Sequence, residues 1–310
     1  MSSNLIDINI GLKKNELLDY FRNRASELLV DVKQKYADTQ FKERAAQVNI
    51  DLIAVKDNLI RILDQKARKE NWPTEQILKG VLLITYVNDL LMIESRNAVW
   101  PYEYMSFARR IGELWEPFCQ LCWEYPLKDN LSYFVPPLFK EVKNKLSREI
   151  YDFISSLSIS DAEKAELNLY YQKVWSLVTS GEVKLELDLH FSDGANKYVV
   201  DFKSGFSSNE KGNTNRLLLV AGVYQILKEN FKCLIFVRAS EEQNNHYLKT
   251  LKNSGLWNVY CGAETYTQIH KHTGFDLSSW LAQNVNWEQD FSKKMYDHLV
   301  HNNLTQYLQW

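Results

Sequence analysis

Apolar side chains recur at steps of three and four through the first part of the chain. Between residues 13 and 37 they fall at Leu18, Phe21, Ala25, Leu28 and Val32. After Ala37-Asp38-Thr39 they fall at Phe41, Ala45, Val48, Leu52, Val55, Leu59 and Ile62. This spacing holds one side chain per turn on a single face and predicts two helices with seams of coiled-coil type. Such helices pack on their own chain as a hairpin or pair with a second copy, and the pattern leaves both open. Trp72-Pro73-Thr74 interrupts it, and a proline suits the first turn of a new helix. Residues 74–97 are strongly apolar (Ile77, Val81, Ile84, Val87, Leu91) and predict a third helix, with a fourth over 103–124. Pro126, Pro136 and Pro137 mark 125–140 as loop. The first 155 or so residues are therefore expected to be mainly α-helical.

The period changes near residue 160. Ser160 followed by Glu163 has the spacing of a capping box and predicts a helix from Asp161 to about Leu177, stopped at Ser180-Gly181. From Lys184 to Phe191 the chain alternates strictly. Leu185, Leu187, Leu189 and Phe191 take one side, and Glu186, Asp188 and His190 the other, as in a half-buried strand. A turn at 192–196 leads to a second strand over 198–203, then a polar loop from Ser204 to Arg216. Residues 217–228, apolar nearly all round, predict a helix buried against a sheet. The run 233–237 predicts a central strand, 241–253 a helix and 259–261 a short strand. The tail 276–310 reads as helix, anchored by Trp280, Trp287, Phe291, Met295 and Leu299. The order from residue 161, α-β-β-α-β-α-β, predicts an α/β (α+β) fold: a mixed sheet flanked by helices, preceded by a mainly α-helical N-terminal region. The expected division is a helical region over 1–157, a core over 158–265 and a helical extension over 266–310.

Composition narrows the class. The 310 residues suffice for two compact units, and 45% hydrophobic with 25% charged residues is an ordinary balance for a soluble globular protein. A formal net charge of -2 gives no global basic signal, so a nucleic-acid partner has to be argued from local features. The N-terminal stretch lacks the apolar core of a secretory signal, and no run of about 18 apolar residues predicts a membrane span. Four cysteines are too few for a disulfide framework, which makes a reducing cytoplasm the expected compartment.

The candidate chemistry lies in Leu187-Asp188-Leu189 and Val200-Asp201-Phe202-Lys203-Ser204-Gly205. Asp201 and Lys203 are two apart on one strand and share a face. With the turn centred near residue 194, Asp188 falls roughly opposite Asp201, and cross-strand neighbours lie ~5 Å apart at Cβ. Two carboxylates that close repel unless a cation joins them. Hard oxygen donors favour Mg²⁺, which keeps several waters. The backbone carbonyl of Phe202 is placed as a further metal ligand. Lys203 is placed to orient the attacking water or to stabilise charge growing on a phosphate.

In these residues the chain resembles the PD-(D/E)XK nuclease superfamily, and within it the type II restriction endonucleases. Asp188 matches the motif's first acidic residue, Asp201 the second and Lys203 the lysine, over roughly residues 160–262. Leu187 stands where the motif usually has proline. The resemblance implies a restriction-endonuclease-like core, Mg²⁺ as cofactor, hydrolysis of double-stranded DNA to 5′-phosphate ends, and a homodimer for a palindromic target. A repair, recombination or phage-defence nuclease on the same core is the alternative, or a DNA-binding protein that does not cut. Many family members add an acid from the preceding helix, for which Glu166 and Glu163 are candidates. Glu186 and His190 share Asp188's face and are candidate supporting residues. The loop supplies candidate DNA contacts in Ser207, Asn209, Lys211, Asn213, Asn215 and Arg216, from cations for phosphates to amides for base edges. Thr214 or Asn215 is alternatively a cap for the next helix. Cys119-x-x-Cys122 has metal spacing but no second pair, and is expected in the core. His270/His272 and His298/His301 likewise lack a partner cluster.

Overall fold

The computed structural model describes residues 6–178, 184–207, 210–227 and 229–310. The chain divides into two compact units, residues 1–129 with 262–310, and residues 130–261. These differ from the sequence division. Residues 130–157 group with the sheet, and 266–310 with the N-terminal helices.

The first unit opens with four helices, α1 (Lys14–Lys35), α2 (Phe41–Glu70), α3 (Thr74–Val99) and α4 (Tyr104–Glu124). Helix α3 is apolar nearly all round and is buried along most of its length. It is long and apolar enough to cross a membrane, yet 78% of its most apolar stretch is buried within the protein, and it carries Asn88 and Asp89 at its middle. The seams of α1 and α2 are spent inside this unit. Leu18, Phe21, Ala25 and Val32 are buried on one helix, and Ala45, Val48, Leu52 and Leu59 on the other, while Phe41 and Ile62 at the ends of the seam are exposed.

The C-terminal tail is not one helix. After α9 (Ala263–Thr273), it breaks into α10 (Leu277–Asn284), α11 (Trp287–Asp290) and α12 (Lys293–His301). The side chains of Asp276, Asn286 and Ser292 each accept a backbone N–H at the start of one of these segments, so each break is a capped helix start. Asp290 is a junction within this unit. Its Oδ2 accepts from Tyr86 Oη at 2.7 Å, from Lys14 Nζ at 2.9 Å and from the Asn286 amide at 3.1 Å.

The second unit carries a five-stranded mixed sheet in the order β1 (Ser132–Tyr133), β2 (Leu189–Ser192), β3 (Lys197–Lys203), β4 (Phe231–Val237) and β5 (Asn258–Cys261). The first two pairings are antiparallel and the last two parallel. Parallel neighbours need crossover connections, which α7 (Lys211–Ile226) and α8 (His246–Asn253) supply. Val199, Ile235 and Val237 on the sheet pack with Leu217, Val220, Ala221 and Tyr224 of α7 and Leu248 and Leu251 of α8. Helices α5 (Phe139–Ser156) and α6 (Asp161–Val178) precede β2.

Three expectations are corrected in this unit. The stretch 125–140 is not all loop, since it contains β1 and the start of α5. The first hairpin strand is regular only over Leu189–Ser192. Residues 185–187 keep the alternation without ladder pairing, with Leu185 and Leu187 in the core and Glu186 exposed. Helix α7 begins at Lys211 rather than 217, because Thr214 already belongs to the buried stripe that continues through Leu217, Val220, Ala221 and Tyr224. The capping box ahead of α6 is present as expected: the Ser160 amide donates to Glu163 Oε2 at 2.8 Å and the Glu163 amide to Ser160 Oγ at 3.3 Å.

Candidate active site at the hairpin of strands two and three

The turn that joins β2 to β3 is built by Asp193, whose Oδ1 accepts the amides of Ala195 at 3.0 Å and Asn196 at 2.8 Å. Gly194 between them has φ +87°, where an L side chain is strained. Tyr198 Oη closes the turn on Asp193 Oδ2 at 2.8 Å. With the turn fixed, the register is fixed: Leu189 pairs with Val200. Asp188, expected opposite Asp201, lies one residue before β2, and its carboxylate acts electrostatically on that of Asp201. Asp188 is exposed, and its Oδ2 accepts the Phe202 amide at 2.6 Å.

Asp201 lies next to Ile235 of β4, on the sheet face that α7 covers, and is 1% exposed. Among the described residues, no backbone amide or neutral side chain is bonded to the carboxylate, and two cations meet its charge. Lys203 Nζ lies 2.5 Å from Oδ2, and Arg216 Nη2 lies 3.6 Å from Oδ1. Burial pushes the Asp201 pKa up to about 6, against the pull of the Lys203 ammonium and with a further push from the Asp188 carboxylate. Lys203 Nζ also donates to the Phe202 carbonyl at 3.1 Å. The ammonium thus touches two of the three groups expected to ligate a cation.

Arg216, expected in a loop, sits in the second turn of α7. Asn213 Oδ1 accepts from its Nε at 3.4 Å and Nη2 at 3.3 Å, and Asn213 Nδ2 donates to Glu210 Oε2 at 3.1 Å. The spacing Glu210, Asn213, Arg216 places all three on one helical face. That spacing is the signal in the sequence, hidden because so polar a stretch reads as loop. The chain after Lys203 is held by α8 and the residues just before it. Asn244 Oδ1 accepts the Phe206 amide at 2.6 Å, and Asn245 Nδ2 donates to the Ser207 carbonyl. A Cβ on Gly205 would stand 3.4 Å from both Ala239 Cβ and Asn244 Oδ1, a tight approach.

Of the remaining candidates, Glu186 is exposed and His190 lies within electrostatic reach of both Glu186 and Asp188. Glu166 is exposed on α6, and Glu163 is occupied by the cap. His190 is buried with its ring edge against Phe134, and burial holds its pKa below the usual value. Lys211 and Asn215 are exposed on α7 and Ser207 is exposed ahead of it, while Asn209 lies outside the described residues. Cys119 and Cys122 are buried in the core of the helical unit, as expected. Among the described residues, no group of three or more His, Cys, Asp or Glu side chains converges in the manner of a metal cage. The donor set at the hairpin is smaller, namely the Asp188 and Asp201 carboxylates and the Phe202 carbonyl. The Lys203 ammonium, in contact with both the Asp201 carboxylate and the Phe202 carbonyl, already occupies a cation's place among these oxygens, and hard oxygen donors of this kind fit a small hard cation that keeps most of its water. No family model matches the chain, and neither a search of curated proteins nor one of solved structures finds a match.

Proposed function

We propose that this chain is a Mg²⁺-dependent endonuclease that hydrolyses phosphodiester bonds of double-stranded DNA at specific sequences, in the manner of type II restriction enzymes. The observation that carries the reading is the Asp201 carboxylate, buried, flanked by two cations and within the field of the Asp188 carboxylate. A buried charge of that kind is costly to keep, and costly groups gather where chemistry uses them.

Asp188, Asp201 and the Phe202 carbonyl would hold the cation. When bound, it supplies charge against a phosphate oxygen and a water of lowered pKa. Lys203, released from the carboxylate, turns its ammonium to the water or to the growing phosphorane charge. Arg216, partly exposed and braced by Asn213, meets a non-bridging phosphate oxygen. The exposed Lys211 and Asn215 on the same helix contact the DNA backbone next to the cut.

The test is cleavage of supercoiled plasmid with Mg²⁺ by the wild type, Asp201→Ala and Lys203→Ala. Discrete fragments from the wild type alone support the reading. A smear, or cutting of branched or modified DNA only, moves it to the repair or phage-defence alternative. Cutting that survives both substitutions, or a wild type that never cuts, ends it.

A further inference from the structure

Helix α6 spans 18 residues, yet among residues 161–174 no side chain is buried, and only Lys164, Asn168 and Tyr171 are half-buried. A helix of this length is marginal in water unless one of its faces packs. One face rests on α5, where Tyr171 and Ser147 share a hydrogen bond of 3.0 Å and Lys164 Nζ donates to the Ser155 carbonyl at 2.9 Å. Next to that face runs a second stripe, Leu167, Tyr170 and Val174, at steps of three and four and exposed by 40%, 55% and 59%. This is the a/d spacing of a coiled-coil seam. Glu166 and Lys173, seven residues apart, flank the stripe on the side away from α5. Lys173 lies over the Tyr170 ring at 5.1 Å.

We infer that α6 is a dimerisation helix whose exposed stripe packs on the same stripe of a second copy, antiparallel about a two-fold axis near residue 169. The charges decide the occupant and its direction. Antiparallel packing brings Glu166 of each copy beside Lys173 of the other, so the surface is its own complement, as an isologous interface must be. Parallel packing would instead turn the Glu166 and Lys173 side of each helix toward the partner's Lys164 and Tyr171, the side already occupied by α5. The three seam side chains expose roughly 300 Å² per copy on the usual scale of aromatic and aliphatic side-chain areas. That falls below the ~800 Å² per partner of a standard interface, so the dimer is expected to be weak and reversible. Glu166 thus flanks an interface in place of the catalytic role that the family resemblance suggests for it.

The inference deepens the endonuclease reading, since a palindromic target calls for two centres related by a two-fold axis, but its test is independent of cutting. Sedimentation equilibrium of the full chain from ~1 to ~100 μM is expected to show a monomer–dimer equilibrium. The doubly substituted Leu167→Glu, Val174→Glu chain is expected to stay monomeric. Glu166→Lys is expected to raise the dissociation constant about tenfold, and Glu166→Lys with Lys173→Glu to restore it. A wild type that is monomeric throughout overturns the inference. So does a dimer indifferent to the seam substitutions, or one that the paired charge reversal does not restore. Far-ultraviolet circular dichroism checks that each variant is folded. A dimer that passes these tests without any cutting overturns the endonuclease reading alone. Cutting by a chain with no α6 dimer overturns the inference alone.

Discussion

Lys203 Nζ lies 2.5 Å from Asp201 Oδ2, two residues back along the same strand, and the carboxylate is the more deeply buried of the two. The pair is unequal. The carboxylate keeps 1% of its side-chain surface, whereas the lysine keeps 18%. Removing the lysine leaves a buried anion with only the longer Arg216 contact. Removing the anion leaves a lysine that can turn to solvent.

That asymmetry separates activity from stability. Lys203→Ala is expected to lower the rate of plasmid cutting by about 10²–10³-fold, the usual loss when a charge-stabilising group is deleted. Asp201→Asn is expected to abolish cutting while keeping the melting temperature equal to or above that of the wild type, since it removes a buried charge from the folded state. A clear loss of thermal stability in Asp201→Asn would mean that the carboxylate is there to hold the fold together. Cleavage assays and differential scanning calorimetry on the same preparations decide this.

Arg216 is braced by Asn213 and aimed at the Asp201 carboxylate, so it is expected to act on the reacting phosphate as well as on the backbone. Arg216→Ala should slow cutting at saturating DNA by about 10–10²-fold, and guanidinium ion should restore part of the rate. Asn213→Ala should give a smaller loss of the same kind. A phosphate contact away from the reaction would instead weaken DNA binding in Ca²⁺ and leave the saturated rate alone. Single-turnover rates at saturating DNA, set beside binding constants, distinguish the two.

Much of this architecture is legible in the residue pattern, and the exceptions have physical reasons. The hairpin register follows from turn length alone, because a side-chain period of two leaves no freedom once Asp193 and Gly194 fix the turn. The helix at 139–156 is visible in Phe139, Val142, Leu146, Ile150 and Ile154, but the prolines just ahead of it suggest loop. The start of α7 is missed because its first turn carries polar residues at a helix end, where polarity and irregularity look alike in sequence. The approach of Arg216 to Asp201 joins two elements that only the parallel crossover brings together, and no local spacing encodes it.

Asp290 ties three donors within the helical unit and is 4% exposed. It also keeps the Tyr86 hydroxyl protonated, since burial and then the carboxylate's own charge raise the phenol's pKa. Asp290→Ala leaves the buried Tyr86 hydroxyl without its acceptor, while Lys14, 26% exposed, keeps the Asn284 carbonyl, and the change is expected to cost about 2–3 kcal/mol. Asp290→Asn, which keeps an acceptor, should cost less. Urea unfolding of the three proteins measures this. A loss under ~1 kcal/mol in Asp290→Ala would show that the junction is incidental.

Asp89 sits in the middle of α3, 5% exposed. Burial raises its pKa from 3.8 to about 7, against the pull of Lys56 on α2 and Arg110 on α4 and a hydrogen bond from Asn88. Below pH ~4 the folded and unfolded chains both carry the proton, and the residue adds no pH dependence. Between about 4 and 7 the unfolded chain gives up its proton while the folded chain keeps it. The folded state therefore binds more protons, and stability falls as pH rises. Above about 7 both states are ionised and the loss is complete. Each tenfold difference in proton affinity between the two states is worth ~1.4 kcal/mol, so the loss is on the order of 4 kcal/mol, reduced by whatever water reaches the carboxylate on opening. Asp89→Asn carries no such proton, so its stability relative to wild type should rise by a few kcal/mol between about pH 4.5 and pH 8. Urea unfolding of both proteins at those two pH values gives the difference directly. A gap that does not widen with pH would mean that Lys56 and Arg110 hold the carboxylate ionised throughout, and that the polar cluster of α3 is a salt bridge rather than a buried acid.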